Sequence, residues 1–489
     1  MNKTIMLCSG LLVGVLSFAG NVDEVVWQLE PSITPPQANW LSGEGPDGNP
    51  CLRVEGSTSL TLDSTKMRGR LVAIEAWVRG ENLGDDTLRI VPDYQTLHGE
   101  IFPSAAARKG TYDWTRFIAS FRIPDFAGDL RLVFGHGGKQ GIAHYSKVRI
   151  VTVVLPEPYT QPKKTADFVT SFRGAMVGAL RQEADFREFA EVWNGNLIRW
   201  QLQGTGKKFA SAEEYRSWGR AEMAKLERVM PFLKKYGIRV VIDLHRSPGI
   251  QDQLLRNYGL WDKKIQDQIV YLWQEIAARN KGNSLVYGYD LINEPVERNY
   301  DPWSEALDWN RLAERIARAV REIDPDTPII ITPANAGGPA AMAAFHPINL
   351  PNIIYTVHFY DPFSYTHNGV GGNSLNKELS WLSVRGNKAY LKRLFAPVRN
   401  FQQKYGVPVY IGEFGVVCWA YGAENWFRDC IDLFEEYGWD WTFHAYREWE
   451  GWSVEHEGLP GALKKVSDTP RKQVILDFLR KNRKEGKPL

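Results

Sequence analysis

The sequence predicts an α/β protein, a (β/α)8 TIM barrel preceded by an all-β sandwich of jelly-roll type. Three observations carry this expectation. Short alternating apolar stretches fill residues 20–154, prolines crowd residues 155–166, and from 167 to 489 strand-like apolar runs alternate with long helical patterns. With 489 residues, 44% hydrophobic and 24% charged, the chain has the composition of a soluble globular protein of more than one domain.

The first element is a leader. Lys3 precedes an apolar run from Ile5 to Phe18, and Ser17-Phe18-Ala19 puts small residues at the positions required for cleavage after Ala19. Residues 1–19 are therefore expected to be a signal peptide, and the mature chain to be secreted or periplasmic. The run is shorter than the roughly 20 residues a spanning helix needs, and no later segment approaches that length, so no membrane partner is expected after cleavage. Cys8 lies too early for a lipid anchor, and Ile5-Met6-Leu7 lacks the small residues that such a site wants. Cleavage leaves Cys51, Cys418 and Cys430, an odd and sparse set that excludes a disulfide framework, although Cys418 and Cys430 could pair in an oxidising compartment.

In the front domain, Leu71 to Val78, Phe117 to Ile123 and Leu130 to Phe134 alternate in hydropathy and are separated by Gly, Asp and Asn turns; no segment has a helical period. The last strand, Lys147 to Val154, runs into Leu155-Pro156-Glu157-Pro158 and Pro162-Lys163-Lys164, a semi-rigid linker. Eight strands follow: Phe172 to Val177, Leu197 to Trp200, Arg239 to Leu244, Val286 to Ile292, Ile329 to Thr332, Ile353 to His358, Val407 to Ile411 and Asp440 to Phe443. Between them lie helical patterns, among them Ala212 to Tyr236, Ile265 to Arg279, Ser304 to Ile323, Lys388 to Tyr405 and Asn425 to Tyr437. Such βα repetition fits a barrel. An open doubly wound sheet would want a glycine-rich phosphate loop after its first strand, and none is there.

Charge and spacing exclude several functions. The formal net charge is +2, and the basic run Arg480, Lys481, Arg483, Lys484 and Lys487 reads as a solvated terminal face, so no nucleic-acid partner is expected. No Cys/His spacing resembles a zinc site and no His-x-His or His-Glu-x-x-His occurs; neither a metal nor another cofactor is expected, and the chain is expected to be a monomer.

A barrel builds its active site at the carboxyl ends of its strands, and those ends are loaded here. Arg199 closes the second strand, Asp243 and His245 the third, Asn293-Glu294-Pro295 the fourth, His358 and Tyr360 the sixth, and Glu413 the seventh. Asn-Glu-Pro alone would be an ordinary turn, and each histidine alone a core residue; their convergence on one rim is not explained by folding. Two carboxylates facing one mouth suit double displacement at a glycosidic bond, one attacking the anomeric carbon and the other protonating the leaving oxygen. Glu413 must then stay ionised, helped by Arg199 and Tyr360, while Glu294 must hold a proton, and Asn293 is placed to hold a sugar 2-hydroxyl.

Asn293-Glu294-Pro295, Glu413 in Ile-Gly-Glu-Phe-Gly, and Val357-His358-Phe359-Tyr360 resemble glycoside hydrolase family 5, the cellulase-like family of clan A, over about residues 165 to 480. Arg199 and His245 also match its pattern. The resemblance implies that Glu294 is the acid/base, Glu413 the nucleophile, and the activity a retaining, endoglucanase-like hydrolysis of β-linked glycans such as β-glucan or mannan. Members of the family usually carry a tryptophan platform at the eighth strand. Here Trp439-Asp440-Trp441-Thr442-Phe443-His444 leaves Trp441 or His444 to fill that place. The chain has 18 tryptophans, and Trp419, Trp439, Trp449 and Trp452 are candidates for stacking on sugar rings. The front domain resembles jelly-roll carbohydrate-binding modules in a general way, with Trp77, Tyr94 and Trp114 as a candidate platform. Its alternative role is to pack against the barrel and support it. Two other readings remain beside the polysaccharide hydrolase: an exo-acting glycosidase on a different sugar, and a glycan-binding protein on a silent barrel.

Overall fold

The computed structural model describes residues 21–84, 87–93, 105–135, 141–164, 168–178, 182–203, 209–249, 251, 256–384 and 386–482. The leader, Tyr94 and the basic residues Arg483, Lys484 and Lys487 lie outside the described residues.

Alternation of apolar and polar side chains makes the front domain two antiparallel sheets. In the larger, Ala38–Leu41, Cys51–Glu55, Ile142–Val153, Arg70–Leu83 and Gly110–Ile123 lie side by side, and Val22–Gln28 also pairs with Ile142–Val153. The smaller runs Ser57–Leu62, Leu130–Gly135, Thr87–Pro92, Ala105–Ala107. Val72, Ile74, Val78, Phe121, Leu132 and Phe134 meet in the core of this domain.

The opposite face of the larger sheet docks on the barrel. Ser120 donates its backbone N–H to Arg298 O (3.1 Å) and its hydroxyl to Tyr300 O (2.7 Å). Trp303 is flanked by the guanidinium groups of Arg116 and Arg149, 5.2 and 4.8 Å from its ring. Arg122, 3% exposed, forks onto Glu297 (2.5 and 2.7 Å) and reaches Asp308 at 3.4 Å. Within the proline-rich stretch, Thr160 is itself pinned to Asn349. Removing one partner of a buried ion pair strands the other, so Arg122→Ala should cost about 3–5 kcal/mol in a denaturant melt. An unchanged midpoint would show that the cluster does not hold the two parts together.

The barrel closes through eight parallel strands: β1 (Arg173–Val177), β2 (Leu197–Gln201), β3 (Arg239–Asp243), β4 (Val286–Asp290), β5 (Ile329–Ile331), β6 (Ile353–Phe359), β7 (Val409–Phe414) and β8 (Asp440–Tyr446), with β8 paired to β1. Around it lie α1 (Glu183–Glu191), α2 (Ala212–Tyr236), α3 (Lys263–Asn280), α4 (Trp309–Arg321), the single turn α5 (Phe363–Thr366), α6 (Lys388–Tyr405), α7 (Ala423–Tyr437) and α8 (Pro470–Leu479). End signals explain the helix bounds. Ser211 accepts the Glu214 N–H at the start of α2, and Gly237 ends it at φ 65°, a left-handed conformation that glycine takes without strain. Helix α4 starts at Trp309 rather than Ser304 because Asp308 caps it, while Leu307 is held by both ends of the Gln266 amide. The fifth unit lacks a full helix: a 3-10 turn, Pro339–Ala344, takes its place and receives the front domain, with Asp125 N–H on Ala343 O and Arg122 on Ala344 O.

Strands β7 and β8 extend further than the apolar runs suggest. His358 pairs in register with Glu413, and Phe359 with Phe414, so Glu413 is a strand residue, as is His444. Leu197, Val241, Tyr287, Ile330, Ile354 and Tyr410 fill the lower interior, and the polar residues sit above them. Cys51, Cys418 and Cys430 are buried, unpaired thiols, so the considered Cys418–Cys430 bridge is not formed. Among the described residues no helix is long and apolar enough to cross a membrane.

Candidate active site

The polar layer is organised by Arg199, fully buried on the inward side of β2. Its Nε donates to Asp290 (2.9 Å), Nη1 to Glu413 Oε1 (2.5 Å), and Nη2 to Asn293 Oδ1 (3.1 Å), with Asp243 at 3.0 Å from Nη2. Burial works against any charge here, but the surrounding carboxylates hold the guanidinium's affinity for its proton well above its ordinary value. Asp290 is pushed up to about 6, by burial first, against the pull of Arg199. Asp243 also binds His245 Nδ1 at 2.7 Å; despite burial, its charge raises the affinity of that ring for a second proton.

Glu413 is brought to the layer by β7. Arg199 takes one oxygen, and the Tyr360 hydroxyl donates to the other at 2.8 Å. Burial opposes ionisation, yet the charges of His358, Arg199, His444 and His245 outweigh it and hold this carboxyl well below the usual range. The glycines beside it serve close packing. A Cβ on Gly412 would stand 2.8 Å from Thr356 Oγ1 and 3.1 Å from His358 Nε2, and one on Gly415 would stand 2.5 Å from His444 O.

Glu294 follows β4 in a left-handed conformation, φ 44°, which a non-glycine residue adopts only when its surroundings impose it. Asn257 supplies that constraint. Its side chain bridges Asn293 O (2.5 Å) and Ser247 N (3.1 Å), and its backbone N–H donates to Glu294 O (3.0 Å). The carboxyl meets His358 Nδ1 at 2.9 Å. Burial above all raises its pKa, His358 opposes, and the charge of Glu413 raises it further. Glu294, Glu413 and His358 each present a donor atom within 4.8 Å of the other two, close enough to bracket a cation. Those donors already serve each other and their neighbours: His358 Nδ1 is engaged by Glu294, and both Glu413 oxygens by Arg199 and Tyr360.

Nine predicted residues thus converge: Arg199, Asp243, His245, Asn293, Glu294, His358, Tyr360, Glu413 and His444. Trp441 does not. It points outward from β8 to the helix layer, its Nε1 on Glu435 and its ring edge-on to Phe414. Alternation along the strand turns His444, three residues on, into the mouth, where Nδ1 lies 2.6 Å from the Tyr360 hydroxyl. Trp439 is likewise core, bound to Gln402. Of the other aromatic candidates, Trp452 stacks on His444 (5.1 Å, 28°), Trp449 stands edge-on to Trp452 and is 43% exposed, and Trp419 packs against Trp449. Sequence reasoning missed Asp290 and Asn257 and assigned Glu448 no role. Asp290 is the last residue of β4, three before Asn293, and an acid at a strand end was its available signal.

Over residues 159–454 the chain matches the family model described as "Cellulase (glycosyl hydrolase family 5)". It is similar to Endoglucanase C of Acetivibrio thermocellus, 27% identical over 254 residues that cover 46% of this chain and 71% of that protein. Cellodextrinase A of Ruminococcus flavefaciens is 29% identical over 241 residues, 46% of this chain and 68% of that one. In fold it resembles the clostridial cellulose synthase subunit Z of Clostridioides difficile, with a TM-score of 0.50 and 18% identity over 63% of this chain and 99% of that one.

Proposed function

The chain belongs to glycosyl hydrolase family 5, and from that premise we propose that it cleaves β-linked glucan chains by double displacement, with Glu413 as nucleophile and Glu294 as general acid and base. One observation carries the mechanism: carboxylate oxygens of Glu294 and Glu413 come within 4.8 Å of each other. Retaining glycosidases hold their carboxyl groups about 5–5.5 Å apart, whereas inverting ones leave about 6.5–9.5 Å for a water molecule. The opposed protonation of the pair supports the division of roles. Glu413 is held ionised and attacks the anomeric carbon as Glu294 gives its proton to the departing oxygen. Glu294, then ionised, removes a proton from water, which releases the sugar from Glu413. Asn293, its amide oxygen held by Arg199, turns its NH2 away from Arg199, in keeping with a hydrogen bond to the 2-hydroxyl.

The glucan substrate is supported by the endoglucanase and cellodextrinase relatives. Endo action, export through the 1–19 leader and a monomeric state complete the proposal. Glycan binding by the front domain rests on Trp77 and Trp114, although the Arg79 guanidinium lies over the Trp114 ring at 5.5 Å and His144 packs edge-on to it at 6.5 Å. Digestion of soluble β-1,4-glucan, mixed-linkage β-glucan and β-mannan tests the substrate. The expected result is fastest cleavage of a β-glucan into short oligosaccharides. Faster cleavage of mannan, or release of single terminal sugars only, would overturn it.

A further inference from the structure

His444 stands in the mouth where the family resemblance anticipates a tryptophan, and it is tied to charged groups rather than stacked as a bare apolar floor. We propose that Glu448 and His444 are positioning residues that hold the Tyr360 hydroxyl on Glu413 through a doubly protonated imidazole. The proposal rests on the reading of Glu413 as nucleophile.

Counting hydrogens leads to it. The Tyr360 hydroxyl has one proton and lies 2.8 Å from Glu413 Oε2 and 2.6 Å from His444 Nδ1. Glu413 is ionised and can only accept, so the phenolic proton points at it. Tyr360 then has only a lone pair for His444, and Nδ1 must carry a proton. On the other side of the ring, Nε2 faces Glu448 Oε1 at 3.4 Å, and Glu448, also held below its usual carboxylate range, can only accept as well. A proton on Nε2 satisfies this contact, and with Nδ1 also protonated the ring is an imidazolium. Gln201 holds the second Glu448 oxygen at 3.0 Å, and the Trp452 face stacked on the ring suits a cation.

The groups around His444 agree with this state. Glu448 and Glu413 favour the imidazolium and raise its pKa against burial and against the positive charge of His245. His367, beyond Tyr360, is driven down to about 3 by burial first, and so adds no competing charge at neutral pH. When pH rises through the raised value, His444 loses its Nδ1 proton. The Tyr360 proton is then drawn toward the free ring nitrogen, and Glu413 keeps Arg199 as its hydrogen-bond donor.

The test uses the full chain labelled with 15N-histidine, with His444 assigned by the signals missing in His444→Phe or, should that variant not fold, by those displaced in Glu448→Gln. Both ring nitrogens of His444 should resonate as protonated at pH 7. A neutral ring with one bare nitrogen would overturn the proposal, whatever the enzyme's activity. Kinetics give the second reading, in an otherwise intact Glu294→Ala background, on an aryl β-glucoside whose leaving group needs no acid. There the alkaline limb of kcat/KM should move down by about one pH unit in Glu448→Gln, the size of one lost neighbouring charge, and return toward its starting position in Glu448→Asp. An unmoved limb would refute the role of Glu448. Absence of turnover in the parent background would instead count against Glu413 as nucleophile and leave the NMR result standing.

Discussion

Glu413→Gln should lower kcat/KM on a β-glucan by at least about four orders of magnitude, the scale on which enzymes lose rate when a covalent nucleophile is removed. The amide is nearly the same size and can still accept from Arg199 Nη1 or from Tyr360, the two partners that now hold the carboxylate. What it lacks is the charge and the second acceptor needed to attack carbon and leave again as a stable anion. Arg199 keeps Asp243 and Asp290 as counter-charges, so the fold should persist, and a melting curve measured alongside the kinetics will show whether it does. Activity within tenfold of the parent would mean that another group, or water, does the attacking.

The second large effect should fall at Glu294 and depend on the leaving group. Glu294→Ala should slow natural oligosaccharides by about 10²–10⁴-fold, the usual contribution of a positioned acid, while dinitrophenyl glycosides, which need no proton to depart, lose far less in their first step. The pH profile supplies the sign. Glu413 has a depressed pKa, so its ionised form, and hence activity, is present down to pH values below the ordinary carboxylate range and is lost as pH falls through that low value. Glu294 has a raised pKa, so its proton is present below that value and lost as pH rises through it. The parent should therefore show a bell on natural substrates whose upper limb moves when Glu294 is replaced. Equal losses on both substrate types would remove Glu294 from the acid role.

Much of this arrangement is legible in the sequence because barrel geometry turns a one-dimensional signal into a place. A polar residue that ends an apolar run faces the mouth, and Arg199, His245, Glu294, His358 and Tyr360 could be assigned there from that rule alone. The same rule misplaced the ends of β7 and β8. Glu413 pairs with His358 of β6 and His444 lies inside β8, and a buried ionised or polar side chain looks like a loop residue until its partners are known. Trp441 and His444 could not be separated without the register, since three positions along a strand decide between the helix layer and the mouth. Asn257 and Glu448 come from loops, where no periodicity announces direction, and each matters through what it touches: Asn257 through the backbone of Glu294, Glu448 through His444. Docking of the front domain was one of the two roles open to it, but the residues that make the contact could not be located. Arg122 reads as an outward strand residue, and nothing local says that Glu297, 175 positions away, will bury it.

That docking places the strand-four loop under the influence of both parts of the molecule, since Glu297, Arg298 and Tyr300 follow Glu294 by only a few residues. The measurement that bears most directly on the central claim is the anomeric configuration of the first product. Followed by proton NMR during hydrolysis of a β-linked oligosaccharide, the newly released reducing end should appear first as the β-anomer and reach the α/β mixture only by later mutarotation. Initial appearance of the α-anomer would mean single displacement by water and would contradict the assignment of Glu413 as nucleophile.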